Sequence, residues 1–275
     1  MLLAFSRILG AARRAARGAA ADPVAAVHEY RKSLRRARAL VTVLSPTLGK
    51  KAARGFARRL QEAFRPTSAL RDADVLLATL RAVPAAAEDD LERHAIEVAL
   101  ELEQRRSLAE TSEVLARGVR SLAPMPGALE VTLDPEFSTR DLERGFARSR
   151  RRERRALERA RETQTDEDLH EWRKRVKELR YQVELLASTG SRQLKKREKV
   201  LGELAQELGD VTDLILLERE IARRERSGEI PATAGLRDGI QRIARARSPK
   251  IRERGEALFE DNPKLFARRV IAERG

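Results

Sequence analysis

The chain has 275 residues, with 57 Lys and Arg against 43 Asp and Glu, a formal charge of +14 and no cysteine. Hydrophobic residues at 41% are enough to build a core, and charged residues at 36% with only 10 prolines describe a helix-rich globular chain; an all-β fold fits poorly. Without cysteine, disulfide frameworks, thiol chemistry and Cys-ligated zinc are excluded, and the longest uncharged stretch, Ala39–Gly49, is 11 residues, far short of the roughly 20 that span a bilayer.

The first segment, residues 1–20, resembles a signal peptide only superficially. Arg7 interrupts its apolar run, and the other charges follow that run when they should precede it. It reads as an amphipathic first helix, and a cytoplasmic protein is the expectation. Charge is distributed in blocks: residues 1–65 carry 15 basic and 3 acidic groups, 66–143 carry 8 and 16, and 144–275 carry 34 and 24. This basic, acidic, basic order suggests duplication.

An internal repeat is present. His28-Glu29-Tyr30-Arg31-Lys32 reappears as His170-Glu171-Trp172-Arg173-Lys174, and at the same offset Arg35, Arg38 and Val41 meet Lys177, Arg180 and Val183. Upstream, Phe5-Ser6-Arg7 matches Phe146-Ala147-Arg148, and downstream Arg71-Asp72-Ala73-Asp74-Val75 falls on Thr212-Asp213-Leu214-Ile215-Leu216. The expected organisation is a first helical bundle over 1–120, a linker over 121–139 and a second bundle over 140–275, together one domain. Within the linker, Leu129–Leu133 is the one β-like run, so a short ribbon is allowed for there.

In chain order, apolar spacing and breakers predict helices at 3–19, 23–45, 48–64, 68–82 and 86–119. The second half gives 140–163, 167–188, 192–208, 211–226, 234–260 and 263–272. Asp22-Pro23, Thr67, Ser138 or Thr139, and Asp166 are expected caps, with Gly190 and Gly209 as stops. Each half reads as about four antiparallel helices.

Placed at about 100° per residue, His28, Arg31, Arg35 and Arg38 share an arc of about 80°, and so do His170, Arg173, Lys177 and Arg180. Tyr30, Leu34, Ala37, Val41 and Leu44, and in the second copy Trp172, Val176, Leu179, Val183 and Leu186, form a separate apolar stripe. Like charges at i, i+3 and i+4 destabilise a helix by about 0.2–0.5 kcal/mol per pair, and no acid interrupts either basic stripe. A solvated basic face would explain one such run. Two at matching angles, each with a histidine, call for an anionic ligand.

Arg grips phosphate oxygens with a planar fork, Lys adds a mobile charge, and two such faces brought together suit a linear polyanion. Histidine adds hydrogen bonding and, once protonated beside phosphate, charge. Weaker rows extend the pattern: Arg7 and Arg14 match Arg148 and Arg155, with Arg151 between the latter two. Others are Lys51, Arg54 and Arg58, and Arg192, Lys195, Lys196 and Lys199.

His28-x-x-Arg31 with Arg35 and Arg38, the Arg71-Asp72-x-Asp74-Val75 segment, and His170-x-x-Arg173-x-x-x-Lys177-x-Leu179-Arg180-Tyr181 resemble the CHAD family, a histidine-bearing α-helical domain that binds inorganic polyphosphate. The resemblance covers nearly the whole chain. It implies an all-α fold of two four-helix bundles about a pseudo-twofold axis with a basic central pore or groove, and association with polyphosphate granules without catalysis. The contacts it implies are His28, Arg31, Arg35, Arg38, His170, Arg173, Lys177 and Arg180, with Lys32 and Lys174 at the rim and Arg7, Arg148 and Arg151 secondary. Ala37 and Ala39 stand where the second copy has Leu179 and Tyr181, so the first pocket wall differs.

No cofactor and no metal site are expected. Asp72 with Asp74, and Asp213 with Asp210, have the chemistry to hold a divalent ion between phosphates, but the expectation is a structural role, favouring the helix N-terminal dipole and orienting nearby arginines. Glu184, four residues after Arg180, is expected to restrain that guanidinium. The acidic run from Glu88-Asp89-Asp90 to Glu113 is expected to be a solvated face, with His94 on the surface. The alternatives are non-specific RNA binding, for which 4% aromatic content offers few stacking platforms, and a phosphotransferase or hydrolase using His28 or His170 as nucleophile. The second lacks a phosphate loop, since Leu44 stands where the first glycine before Gly49-Lys50 is required.

Overall fold

Alanine, leucine, arginine and glutamate, all good helix formers, dominate the segments between the glycine and proline breakers. The computed structural model describes residues 1–84, 90–188, 190–259 and 261–274. Its helices are α1 Leu2–Arg17, α2 Pro23–Phe64, α3 Ser68–Ala82 after a short 3₁₀ turn at Arg65–Thr67, α4 Asp90–Ala109, α5 Thr111–Leu122 and α6 Met125–Thr132. Then come α7 Thr139–Glu162, α8 Asp166–Ala187, α9 Arg192–Arg226, α10 Ala234–Leu258 and α11 Pro263–Ala272. The described residues contain no strand, so the fold is all-helical.

α2 is two antiparallel arms. The chain reverses at Gly49, whose φ of +74° and ψ of 157° lie outside the helical region and suit a residue without Cβ. The reversal brings Tyr30 Oη to the Ala63 carbonyl at 3.4 Å, Arg38 to Gln61 at 3.0 Å and Arg31 to Thr67 at 2.7 Å. The separate helices expected over 23–45 and 48–64 are these arms, with the turn three residues beyond Pro46. At the equivalent place in the second half, Gly190 has φ of +105° and ends α8, and Ser191 caps α9 by accepting from the Leu194 amide.

Asp22 caps α2, accepting from the Ala25 amide at 2.9 Å ahead of Pro23. Ser138 begins α7 with both its amide and its hydroxyl on the Asp141 carboxylate, at 3.1 and 2.6 Å. Three expectations change and a fourth holds only in part. Thr165, not Asp166, caps α8. Thr67 stands at the N-cap position of α3 as expected but makes no side-chain capping bond; its hydroxyl turns back to the Phe64 carbonyl and receives Arg31. Gly209 does not stop a helix: α9 runs through it, and a Cβ there would lie 3.3 Å from an Arg173 guanidinium nitrogen, so the missing side chain makes room for that group. The expected helix over 86–119 breaks at Glu110, while its start and the acidic pair Glu88-Asp89 lie outside the described residues, as does the Asp90 side chain.

The seam holds α6, not a ribbon. Pro126 fits the first helical turn, where its missing N–H has no partner to lose, and Met125 and Leu129 are fully buried. One continuous core runs from Phe5 to Ile271. α1 packs on α2, α7 on α8, and α8 on α9, while α2 against α7 and α8, and α3 against α9, join the two halves. Arg36 clasps both Glu184 oxygens across this junction, and the Gln182 amide donates to the Ala39 carbonyl at 3.2 Å.

Equivalent aromatics seat each half. Tyr30 faces Gly118 of α5, and Trp172 faces Gly255 of α10, where an added Cβ would sit 2.4 Å from indole Cζ2. The Trp172 N–H donates to Glu153 at 2.8 Å, and Glu153 pairs with the fully buried Arg150, which donates to the Phe259 carbonyl. Trp172 therefore cannot swing aside. Gly255→Ala is expected to destabilise by about 1–3 kcal/mol, lowering the melting temperature by about 2–4 °C per kcal/mol. Gly239→Ala, where a Cβ meets nothing within 4 Å, should leave it unchanged or higher; thermal melts by circular dichroism compare the two.

Candidate anion-binding site

The two basic stripes lie on the first arm of α2 and on α8, beside fully buried apolar stripes. Tyr30, Leu34, Ala37, Val41, Leu44, Trp172, Val176, Leu179, Val183 and Leu186 are each at most 2% exposed. Because α2 packs against α8, the stripes approach each other.

Matching positions then do matching work. Arg31, 6% exposed, lies over the Phe64 ring at 4.1 Å and donates to Thr67, while Arg173 donates to both oxygens of Asp213 at 3.1 and 3.4 Å. Arg38 holds Gln61, and Arg180 holds Glu198 at 2.8 Å. Lys32 pairs with Glu29 at 3.3 Å, and Lys174 with Glu171 at 3.7 Å. In each half, then, three of the predicted cations are engaged within the fold. Burial pushes the Arg31 guanidinium down to about 10, with Arg35 and Arg71 adding repulsion, so it still carries its charge at neutral pH.

Arg35 and Lys177 differ. Neither makes an ion pair among the described residues, and both are half-buried. Arg35 lies 5.2 Å from the Phe64 ring centroid, and burial, with Arg173 and Arg71 nearby, lowers its guanidinium pKa against the opposing effect of Tyr181. Lys177 is pushed down to about 7, first by burial and then by Arg173, Arg35 and Arg71, with only Asp213 acting the other way. Cations from both sequence halves thus converge on one ammonium. The one carboxylate that eases its charge is already bound by Arg173.

The histidines flank this cluster, His28 exposed and His170 half-buried. Both imidazoles are lowered from 6.5, His28 by desolvation and then Arg71, His170 by desolvation and then Lys174 and Arg173. Arg7, Arg148 and Arg151 are exposed, and Arg148 donates to Ser45 at 3.3 Å; among the described residues no hydrogen bond or ion pair ties these three to the cluster.

Arg71 of α3 was missed as a site residue, although it bears on His28, Arg31, Arg35 and Lys177 alike. It sits in a segment that carries the family resemblance, but its repeat counterpart is Thr212, so comparison of the copies passes over it. Glu184 does not restrain Arg180; it belongs to Arg36 of the other half, while Arg180 takes Glu198. Asp213 orients Arg173, and Asp74 lies 3.8 Å from Arg71, consistent with the positioning role considered for these acids. The acidic face of α4 is partly neutralised: Glu97 and Glu101 hold Arg81, and Glu103 holds Arg224. His94 is exposed. The described residues contain no group of three or more acidic or imidazole side chains placed to hold a metal ion, and no helix among them is long and apolar enough to cross a membrane.

These features define an all-helical protein whose two sequence halves bring under-neutralised cations together. The chain belongs to the CHAD family: the model of the CHAD domain matches residues 3–222. Comparison with curated proteins gives no match. The family match ends within α9, while the packed core continues through α10 and α11 to Ile271.

Lys177 gives the site a pH signature. From about pH 7, its folded value, to 10.5, its ordinary value, the unfolded chain holds a proton that the folded chain has released, so stability rises with pH across that window. Lys177→Met removes the desolvated charge while keeping most of the volume. It should raise the melting temperature at pH 7 by about 2–4 °C, the shift that 1 kcal/mol gives a chain of this size, and should flatten the rise in stability between pH 7 and 10; melts at several pH values read both.

Proposed function

We propose that the protein binds inorganic polyphosphate and does not transform it. In this reading two repeated bundles lie about a pseudo-twofold axis, and a basic groove between them takes the chain. The observation that carries the reading is the cluster of Arg35, Arg71, Arg173 and Lys177, drawn from both halves, in which Asp213 takes Arg173, Asp74 lies 3.8 Å from Arg71, and Arg35 and Lys177 make no ion pair among the described residues. A linear polyanion supplies the missing negative charge at several points at once, and the planar guanidinium forks match its non-bridging oxygens.

The residues then divide by task. Arg35, Lys177 and Arg71 meet phosphate first, with Arg173 aimed by Asp213 and His28 and His170 at the flanks. Arg31, Arg38 and Arg180 chiefly hold the helical arms that present the others. Lys32 and Lys174 form the rim, and Arg7, Arg148 and Arg151 contribute long-range attraction. Binding to polyphosphate would carry the protein to polyphosphate granules in the cytoplasm.

Two observations favour this over the rival readings. Tyr30 and Trp172 are wholly buried, so neither stripe offers an aromatic platform for nucleobases; RNA should bind weakly and without sequence preference. Asp213 is held by Arg173 through both oxygens, which leaves it poorly placed to activate water or a histidine.

The test is a titration with long-chain polyphosphate, in competition with RNA and duplex DNA at matched phosphate concentration, with orthophosphate release followed in the same samples. Polyphosphate should win without release. Arg35→Glu combined with Lys177→Glu should remove binding with helical circular dichroism intact, whereas Lys32→Gln combined with Lys174→Gln should weaken it only a few-fold. Equal competition by RNA would reduce the site to a general polyanion trap, and released orthophosphate would make His28 and His170 catalytic.

Affinity should also follow pH. Phosphate raises the pKa values of Lys177, His28 and His170 from their lowered positions, so binding takes up protons. At constant ionic strength, affinity should increase as pH falls from 9 to 6, by up to about tenfold per unit for each proton linked.

A further inference from the structure

α8 and α9 meet through two glycines spaced like the arginines that face them. Arg173 and Arg180 stand two turns apart on α8, and Gly202 and Gly209 two turns apart on α9. The helices run antiparallel, so Arg173 meets Gly209 and Arg180 meets Gly202. A Cβ at position 209 would lie 3.3 Å from Arg173 Nη2 and 3.7 Å from Nε, and one at 202 would lie 3.2 Å from Arg180 Nε and 3.3 Å from Cζ. The closest of these distances are tighter than side chains ordinarily keep, so each guanidinium rests where only glycine leaves the backbone bare.

About one turn further along α9 each glycine has an acid. Asp213, four residues after Gly209, accepts from both terminal nitrogens of Arg173 at 3.1 and 3.4 Å, and Glu198, four before Gly202, accepts from Arg180 Nε at 2.8 Å. The terminal nitrogens of Arg180 make no hydrogen bond among the described residues, and its side chain is 35% exposed. At the offset of the repeat, Gly209 falls on Thr67, whose carbonyl and hydroxyl receive Arg31 at 2.7 and 3.0 Å. One repeat position therefore receives the same arginine in both halves, by hydrogen bonds in one and by a missing side chain in the other. Local structure gives no other reason for these glycines. Neither has a positive φ, and alanine serves a helix interior better.

We propose that Gly202 and Gly209 are positioning residues of the anion site, seating Arg180 and Arg173 against α9 so that their remaining N–H groups meet two phosphates of one chain. Its ligand rests on the polyphosphate reading. The two guanidinium groups start about 10 Å apart along α8, and Lys177 lies between them on the same face, four residues after Arg173 and three before Arg180. A methyl group at either glycine pushes a guanidinium outward and strains its bond to Asp213 or Glu198, so the cation stays but its aim is lost.

Polyphosphate titrations at several salt concentrations compare the unsubstituted chain, Gly202→Ala with Gly209→Ala, and the same two changes combined with Arg173→Lys and Arg180→Lys. With the arginines present, the alanines should weaken binding about threefold to tenfold and make the salt dependence shallower by about one phosphate contact, with helical circular dichroism kept. With lysines in their place the alanines should lower affinity no further, because an ammonium has no planar face to rest on α9. Gly239→Ala on α10, where a Cβ meets nothing within 4 Å, should bind like the unsubstituted chain. Undiminished affinity would overturn the proposal, and so would an equal loss with arginine and with lysine, which would assign the glycines to helix packing alone. Where the double variant melts below the assay temperature, Gly202→Ala alone, at a half-buried position, is read in the same way. If the unsubstituted chain binds no polyphosphate, the polyphosphate reading fails on its own account. The Nε–H resonances of Arg173 and Arg180 in the free protein, assigned through the lysine variants, then decide the seats: a shift on alanine substitution keeps them, and unmoved resonances overturn them.

Discussion

Crowding of like charge that its neighbouring carboxylates offset only in part is the constraint on which this structure turns. Unit charges at about 4 Å repel by about 4 kcal/mol under the effective screening typical of a protein surface. Arg35, Arg71, Arg173 and Lys177 nevertheless bear on one another, with Asp213 beside Arg173 and Lys177 and Asp72 and Asp74 beside Arg71. Their assembly opposes folding, and it persists because the surrounding architecture fixes it. Groups that a protein holds against electrostatic preference are candidates for function, and here the missing component is anionic.

The fixing is done by the same motif used twice. In each half a basic helix folds back on a second arm at a positive-φ glycine, Gly49 or Gly190. Arginines one and three turns along then clasp the returning arm: Arg31 on Thr67 with Arg38 on Gln61, and Arg173 on Asp213 with Arg180 on Glu198. An aromatic on the opposite face is wedged against a glycine of a later helix. These contacts use some basic residues to hold the scaffold and leave Arg35, which meets Tyr181 and Phe64, and Lys177 without an ion pair among the described residues. The Arg36–Glu184 pair ties together the two basic helices, which carry Arg35 and Lys177.

Much of this was legible because helical periodicity and duplication are strong signals. The repeat located the stripes, the projection separated basic from apolar faces, and the ten apolar positions it assigned to the core are buried. Several helix bounds follow from caps and breakers, among them 68–82 and 263–272. What could not be read were tertiary choices. No spacing rule shows that Glu184 reaches Arg36 across the junction, that Gly209 makes room for Arg173 inside a continuous helix, or that the β-branched run near Val131 becomes helix α6 through the burial of Met125 and Leu129. Nor does a stripe reveal which arginines it spends on its own scaffold. Arg31 and Arg35 are alike in sequence, and only their packing gives one to Thr67 and the other to Tyr181.

The most direct measurement is the ionisation of the Lys177 side chain by NMR, with its Nζ resonance assigned through Lys177→Arg, in the free protein and with polyphosphate. The account gives a value well below the usual lysine range in the free protein, about 7, and a return of several units towards 10 when polyphosphate binds. A resonance titrating near 10.4 in both states would contradict it, since Lys177 would then be an ordinary solvated lysine and the cluster would exert no demand for an anion.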